Sequence, residues 1–111
     1  MHGLAGFDAY TNALSIYRSV VVLGKRLPKG HVIDQLTRAS ESVALNVAEA
    51  HPAIGADRAR RFRIASHEAS ECLAAIDLLE IRGLLKDEAL LALRALVNRQ
   101  CAMLWRLGRL R

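Results

Sequence analysis

Hydrophobic residues recur at alternating spacings of three and four in four stretches of the chain, which is the period of an amphipathic α-helix. The stretches run over residues 7–26, 32–50 and 57–82 and from 87 or 88 onward. Proline and glycine between the stretches end one helix before the next begins. Four helices with short connections predict an all-α, up-down-up-down antiparallel four-helix bundle, formed as a single domain over residues 1–111.

Three of the predicted helices carry one apolar line each, which we assign to the core. In the second helix the line is Leu36, Ala39, Val43, Val47 and Ala50. In the third helix it is Phe62, Ala65, Ala69, Cys72, Ile76 and Leu79. In the fourth helix it is Leu90, Leu93, Val97, Gln100, Leu104 and Leu107.

The first helix carries two adjacent apolar lines, more than one four-helix core can fully use. We assign one line to the core, and its members are Phe7, Tyr10, Leu14, Tyr17 and Val21. The second line is Ala13, Ile16, Val20, Leu23 and Leu27. Ile16, Val20 and Leu23 would then leave an apolar strip on a monomer, so they are predicted to contact a neighbouring copy.

A line of polar residues runs beside the apolar line of the second helix, and its members are Gln35, Arg38, Ser42, Asn46 and Glu49. In a hairpin of the second and third helices, Arg38 lies near Glu71 and Ser42 lies near His67 and Glu68. Glu49 then lies near Arg58 or Arg61. We predict a partly buried ladder of charge-assisted hydrogen bonds, with Arg38 within salt-bridge reach of Glu71 or Glu68. A stripe of solvated surface salt bridges is the alternative.

Basic residues outnumber acidic ones by 16 to 11, and the resulting formal charge of +5 suits an anionic partner, nucleic acid first. An arginine-rich genome can produce the same excess. One group of candidate nucleic-acid-binding residues opens the third helix: Arg58, Arg60, Arg61 and Arg63. The other lies on the fourth helix and its tail: Arg94, Arg99, Arg106, Arg109 and Arg111. A membrane-surface role of the tail is an alternative, but continuity with the fourth helix favours packing of Trp105 and the leucines.

Catalytic and metal-binding patterns are weak. His67 and Glu71 have a chelating i, i+4 spacing but no third ligand, and no Glu-x-x-His motif occurs. Ser42, His67 and Glu71 can be drawn as a triad, yet a nucleophile in mid-helix lacks the sharp turn and oxyanion donors that hydrolases use. We expect no enzymatic activity, metal, cofactor or small-molecule substrate.

The cysteines and the lengths of the apolar runs indicate where in the cell the protein is expected. Cys72 and Cys101 lie in helical apolar patterns without CxxC spacing and are predicted to be buried thiols of a reducing cytoplasm. No signal peptide is predicted, and the longest apolar run, residues 20–23, is too short to cross a bilayer. We therefore expect a soluble, cytoplasmic protein.

The segment from Gln35 to Glu49 resembles the signature QxxRAxxSIxxNIAEG of a family of small bacterial four-helix-bundle proteins, which includes the proteins encoded in intervening sequences of large-subunit ribosomal RNA genes. The accessory variability proteins of diversity-generating retroelements are similar in fold. Phe7, Pro28, Phe62 and Ala65 extend the resemblance over nearly the whole chain. Two departures are Ala50 in place of the signature's last glycine and His67-Glu68 in place of a Gly-Ser pair.

The resemblance implies a four-helix bundle, a ring-like homopentamer, no known enzymatic chemistry, and RNA or DNA as partner. Two functional hypotheses follow. The first is an oligomeric basic scaffold that binds nucleic acid without sequence specificity. The second is a structural module whose partner is another protein, such as a polymerase, with its charge incidental.

Overall fold

The computed structural model describes residues 7–109 and contains four helices: α1 (Asp8–Arg26), α2 (His31–Ala50), α3 (Gly55–Ile81) and α4 (Asp87–Leu107). No strand occurs within that range. Each helix packs closely against two others, in the pairs α1–α2, α2–α3, α3–α4 and α1–α4, whereas the backbones of the diagonal pairs stay farther apart. The helices therefore occupy the four corners of a bundle, and the predicted all-α class and four-helix architecture are confirmed.

Proline and glycine end the helices, and Pro52 ends α2 without moving the preceding residue out of the α region. His51 keeps α-helical angles (φ −53°, ψ −50°) although it precedes Pro52, a position at which steric clash with the proline ring usually disfavours the α region. Pro52 itself ends α2, because it has no N–H to donate and its ring obstructs a further turn. The chain then turns through a hydrogen bond from the Ala53 N–H to the Ala50 carbonyl, at 3.1 Å.

Gly83 ends α3 as predicted, in a left-handed conformation with φ +71°. The Gly83 N–H donates to the Glu80 carbonyl at 2.9 Å, and the Leu84 N–H donates to the Leu79 carbonyl at 3.0 Å. These two bonds form a Schellman motif and satisfy carbonyls that the helix leaves free. Leu84 also packs onto the core beside buried Leu79, so the motif turns the chain towards α4.

The core confirms the apolar lines assigned to α2, α3 and α4. Every predicted member of those lines is buried except Leu107, which is partly buried. The buried side chains form two clusters along the bundle, and Cys101 packs against both of them.

The assignment of the two lines of α1 is wrong. Ile16 and Val20 are 2% and 0% exposed and belong to the protein's own core, so they are not available to contact another copy. Tyr10, Leu14 and Tyr17, which we assigned to the core, are only partly buried and lie on its flank. Small Ala9 and Ala13 accompany Ile16 and Val20 on the buried face, as close packing of α1 against its neighbours requires.

Candidate nucleic-acid interface

Arg38 does not join the polar ladder predicted between α2 and α3. Its guanidinium is exposed and its Nη2 donates to Oε1 of Gln35 at 3.3 Å, and within residues 7–109 it forms no ion pair. The predicted pairing of Arg38 with Glu71 or Glu68 is therefore wrong for the single chain. Arg38 lies on the same side of the helix as the exposed residues Glu41 and Leu45.

The other members of the polar line on α2 have different partners. Nδ2 of Asn46 donates to the Ser42 carbonyl at 2.9 Å and to its Oγ at 3.1 Å, and both residues are partly buried. Nη1 of Arg61 contacts Oε2 of Glu49 at 3.0 Å, so the pairing predicted at this end of the hairpin is present. Gln35 and Glu71 line a groove of about 280 Å³ that ends at half-exposed Leu78.

Glu68 and Glu71 form a carboxyl pair in place of the predicted ladder. Burial raises the pKa of Glu68, and the hydrogen bond and negative charge of Glu71 raise it further. The charge of His67 and the Ser42 hydroxyl act in the opposite direction. Neither carboxylate has an arginine or lysine within salt-bridge distance in the described part of the chain. The carboxyl pair is thus not neutralised by an arginine or a lysine in that part of the chain.

The four arginines at the start of α3 are all engaged in contacts within the chain. Arg58 lies over the ring of Phe62, with its guanidinium carbon 4.8 Å from the centroid. Arg60 and Arg61 share the carboxylate of Asp57, at 3.0 and 3.2 Å, and their hydrogen bonds lower the pKa of Asp57. Their positive charge is therefore partly neutralised.

Arg63 is directed at the end of another helix. Its Nη1 donates to the Gly108 carbonyl at 3.1 Å, where a cation is favourable because the C-terminus of α4 carries partial negative charge. A Cβ at position 108 would lie 3.0 Å from Cγ of Arg63, so glycine permits this approach. The start of α3 and the end of α4 therefore form one basic end of the bundle.

The arginines of α4 differ in their partners. Arg94 is paired with Asp77 and Glu80 of α3 and is 28% exposed. Arg99 and Arg106 are exposed, and neither forms an ion pair within residues 7–109. Arg109 stacks on Trp105 at 4.4 Å from the ring centroid, and Arg111 lies outside the described residues. Free positive charge thus lies on α4.

The distribution of charged residues along the sequence indicates the basic surface of α4, although the helical spacing of the arginines does not. All 11 acidic residues precede Ala89, together with 11 of the 16 basic ones. The other five basic residues, all arginine, follow it, so the formal charge of +5 is that of residues 89–111.

Trp105 is placed differently from the prediction. Its side chain is 62% exposed, whereas Leu104 and Leu107 pack against the core as expected.

Two apolar grooves run along the sides of α1. The groove towards α2 has a volume of about 190 Å³ and is lined by Tyr10, Leu14 and Tyr17 with 58%-exposed Leu45. Oη of Tyr17 donates to Glu41 at 3.0 Å, and this bond is the main cause of its raised pKa. The groove towards α4 has a volume of about 290 Å³ and includes Leu23, the one predicted contact residue that is not fully buried.

The structure also bears on nucleophilic attack by a thiol, on metal binding and on membrane spanning. Burial raises the pKa of the Cys72 thiol to about 12, so it is protonated at neutral pH and unsuited to nucleophilic attack. Residues 7–109 contain no cluster of three or more histidine, cysteine or acidic side chains placed to hold a metal ion. In the same range, no helix combines the length and the hydropathy of a membrane span.

Comparison with known protein families identifies a relationship that covers most of the chain. A family model described as the 23S rRNA-intervening sequence protein matches residues 6–106, which include all four helices except the last residue of α4. No curated protein matches the chain.

Proposed function

The chain belongs to the family of 23S rRNA-intervening sequence proteins, and from that membership we propose that it binds RNA or DNA through α4, as a non-enzymatic scaffold that does not read sequence. The observation that carries the proposal is the confinement of the net charge to residues 89–111. The family's description supports a role associated with RNA. Exposed arginines that have no carboxylate partner within residues 7–109, such as Arg99 and Arg106, attract phosphates by releasing condensed counterions, whatever the base sequence.

The α4 arginines are better placed for this role than those at the start of α3. Arg99 and Arg106 are seven residues apart, about two turns of one helix, and thus lie on the same side. Both are exposed and unpaired in the described structure, so binding of phosphate by them breaks no internal ion pair. Arg60 and Arg61 would have to leave Asp57 first.

We further propose that the helices run up-down-up-down and that the bundle assembles as a ring of copies. Contacts of Tyr17 with Glu41, and of Arg61 with Glu49, pair residues as antiparallel neighbours do. The grooves on the two sides of α1 support assembly, because contact between two different patches generates rings when the rotation closes. The number five comes from the family resemblance alone.

Binding to a 20-nucleotide fluorescent RNA and the matching DNA, followed by anisotropy over a salt series, tests the nucleic-acid proposal. We expect affinity to fall steeply with salt and the double variant Arg99→Glu/Arg106→Glu to bind about tenfold or more weakly at low salt. The control Lys25→Glu/Lys29→Glu makes an equal change of charge at the α1–α2 connection and should have a smaller effect. Absence of binding at low salt, or equal losses in both variants, would refute the proposal.

Light scattering at micromolar concentration tests assembly. We expect a mass several times that of the 12.2-kDa chain, reduced to the single chain by Leu45→Glu, which places a charge in the α1–α2 groove. Leu91→Glu, on an exposed side of α4, is the matched control and should leave the mass unchanged. A monomeric wild-type protein would exclude the ring.

A further inference from the structure

Trp105 is the only tryptophan of the chain, and its 62% exposure is not explained by packing. Its neighbour Leu104 is fully buried and supplies the core contact of this turn of α4. An exposed indole leaves a large apolar ring in water without contributing to the core. The ring also lies within residues 89–111, which contain no aspartate or glutamate. Trp105 is thus an aromatic surface on the basic part of the protein.

One arginine stacks on this indole, and two others lie on α4 or contact it within one helical turn of Trp105. The guanidinium carbon of Arg109 is 4.4 Å from the ring centroid, so a cation covers one face. Arg63 reaches the Gly108 carbonyl, which lies one turn beyond Trp105 on the same helix. Arg106 is adjacent in sequence and exposed. An aromatic ring beside several cations offers a partner both a stacking surface and charge.

This combination suits a single-stranded nucleic acid better than a duplex. The bases of a duplex are stacked on each other, whereas an unpaired base can leave its neighbours and stack on an aromatic side chain. The arginines would meanwhile contact the flanking phosphates. We propose that Trp105, with Arg63, Arg106 and Arg109, is a stacking platform for an unpaired base of single-stranded RNA or DNA. The inference rests on the proposed nucleic-acid binding and specifies its substrate class.

The single tryptophan reports on its own contact with a base. Emission of the whole protein is measured while unlabelled 12-nucleotide oligoadenylate, the same strand in a duplex, or polyphosphate of equal length is added at low salt. We expect quenching by the single strand only, because polyphosphate supplies charge without bases. Equal quenching by polyphosphate, or by the duplex, would overturn the platform. A spectral shift with anionic phospholipid vesicles but not with the oligonucleotide would indicate a membrane contact and overturn it as well.

Variants at the same site separate this inference from the proposed function. Trp105→Ala should weaken binding of fluorescein-labelled oligoadenylate about fivefold or more, the low end of the effect of one stacking contact, and Trp105→Phe should retain most of it. Leu91→Ala removes a similarly exposed apolar side chain from α4 and should bind normally. Wild-type affinity in Trp105→Ala would overturn the platform and leave nucleic-acid binding standing. No binding of any oligonucleotide by the wild-type protein would overturn both. Far-UV circular dichroism verifies that each variant is folded.

Discussion

Nδ2 of Asn12 donates a hydrogen bond to Oε1 of Gln100 over 2.7 Å, joining the first helix to the last inside the protein core. Asn12 is 7% exposed and Gln100 is 0% exposed. Asn12 also donates to the Leu96 carbonyl at 3.0 Å, and Gln100 donates to the Ala9 carbonyl at 2.9 Å. These directional bonds fix the position of α1 along α4, which apolar packing alone specifies less strictly.

Removal of the Asn12 amide and removal of the Gln100 amide should each destabilise the protein. The two separate losses, added together, should exceed the loss caused by removing both amides at once. Gln100→Leu should lower the free energy of unfolding by about 1–3 kcal/mol, because a buried donor of Asn12 loses its acceptor. In the double variant with Asn12→Ala that donor is gone, so the combined loss should be smaller than the two single losses added together. Urea denaturation of the four proteins measures the coupling. Additivity within about 0.5 kcal/mol would show that the hydrogen bond contributes little.

The carboxyl pair of α3 should make stability depend on pH. The raised pKa of Glu68 means that the folded protein holds this proton more tightly than the unfolded chain does. Its contribution to stability is therefore complete below the unfolded value of about 4.3 and is lost as pH rises through the folded pKa. Glu68→Gln removes the repulsion and should stabilise the protein at pH 7 by about 0.2–0.5 kcal/mol.

The same measurement at two pH values checks the cause. The advantage of Glu68→Gln over wild type should shrink as the pH is lowered from 7, because protonation removes the charge of the Glu68 carboxylate. Glu71→Gln should give a similar gain at pH 7, because it removes the other half of the pair, and the double variant should gain little more. A destabilised Glu68→Gln at pH 7 would mean that the carboxylate makes a favourable contact that outweighs the repulsion.

Arg38→Ala should change the unfolding free energy of the single chain by less than about 0.5 kcal/mol, as is usual for an exposed side chain without special contacts. The reason is that Arg38 bonds only to Gln35 of its own helix in the described structure. Thermal or urea denaturation of dilute protein measures the effect. A loss above about 2 kcal/mol would show that Arg38 compensates the partly buried carboxylates of Glu68 and Glu71 in solution, as the sequence pattern suggested.

The sequence predicted the core of three helices because each has a single apolar line between clear breaks. The spacing of Phe62, Cys72 and Leu79 allows only one buried face for α3. Helix α1 has two apolar lines, and periodicity cannot decide between them. The choice depends on volume: α1 packs through Ala13 and Ile16, while bulky Tyr17 lies at the edge.

The candidate site was less predictable because the availability of a cation depends on its neighbours in three dimensions. Pairing of Asp57 with Arg60 and Arg61 follows from their i, i+3 and i, i+4 spacing. Arg63 and Gly108 are 45 positions apart in the sequence, so their contact cannot be predicted from residue spacing within one helix. The stacking of Arg109 on Trp105 again has helical spacing, but the exposure of Trp105 depends on how α4 is rotated in the bundle.

The placement of all net charge after Ala89 gives the molecule an electric dipole moment across the bundle. Helix α2 holds three carboxylates and one arginine and lies diagonally opposite α4 in the bundle. A polyanion therefore exerts a torque that turns α4 towards it and α2 away, before any side chain is in reach. At 0.1 M salt this alignment acts over a Debye length of about 10 Å. Encounters thus begin in a favourable orientation, and fewer of them need a rotational search.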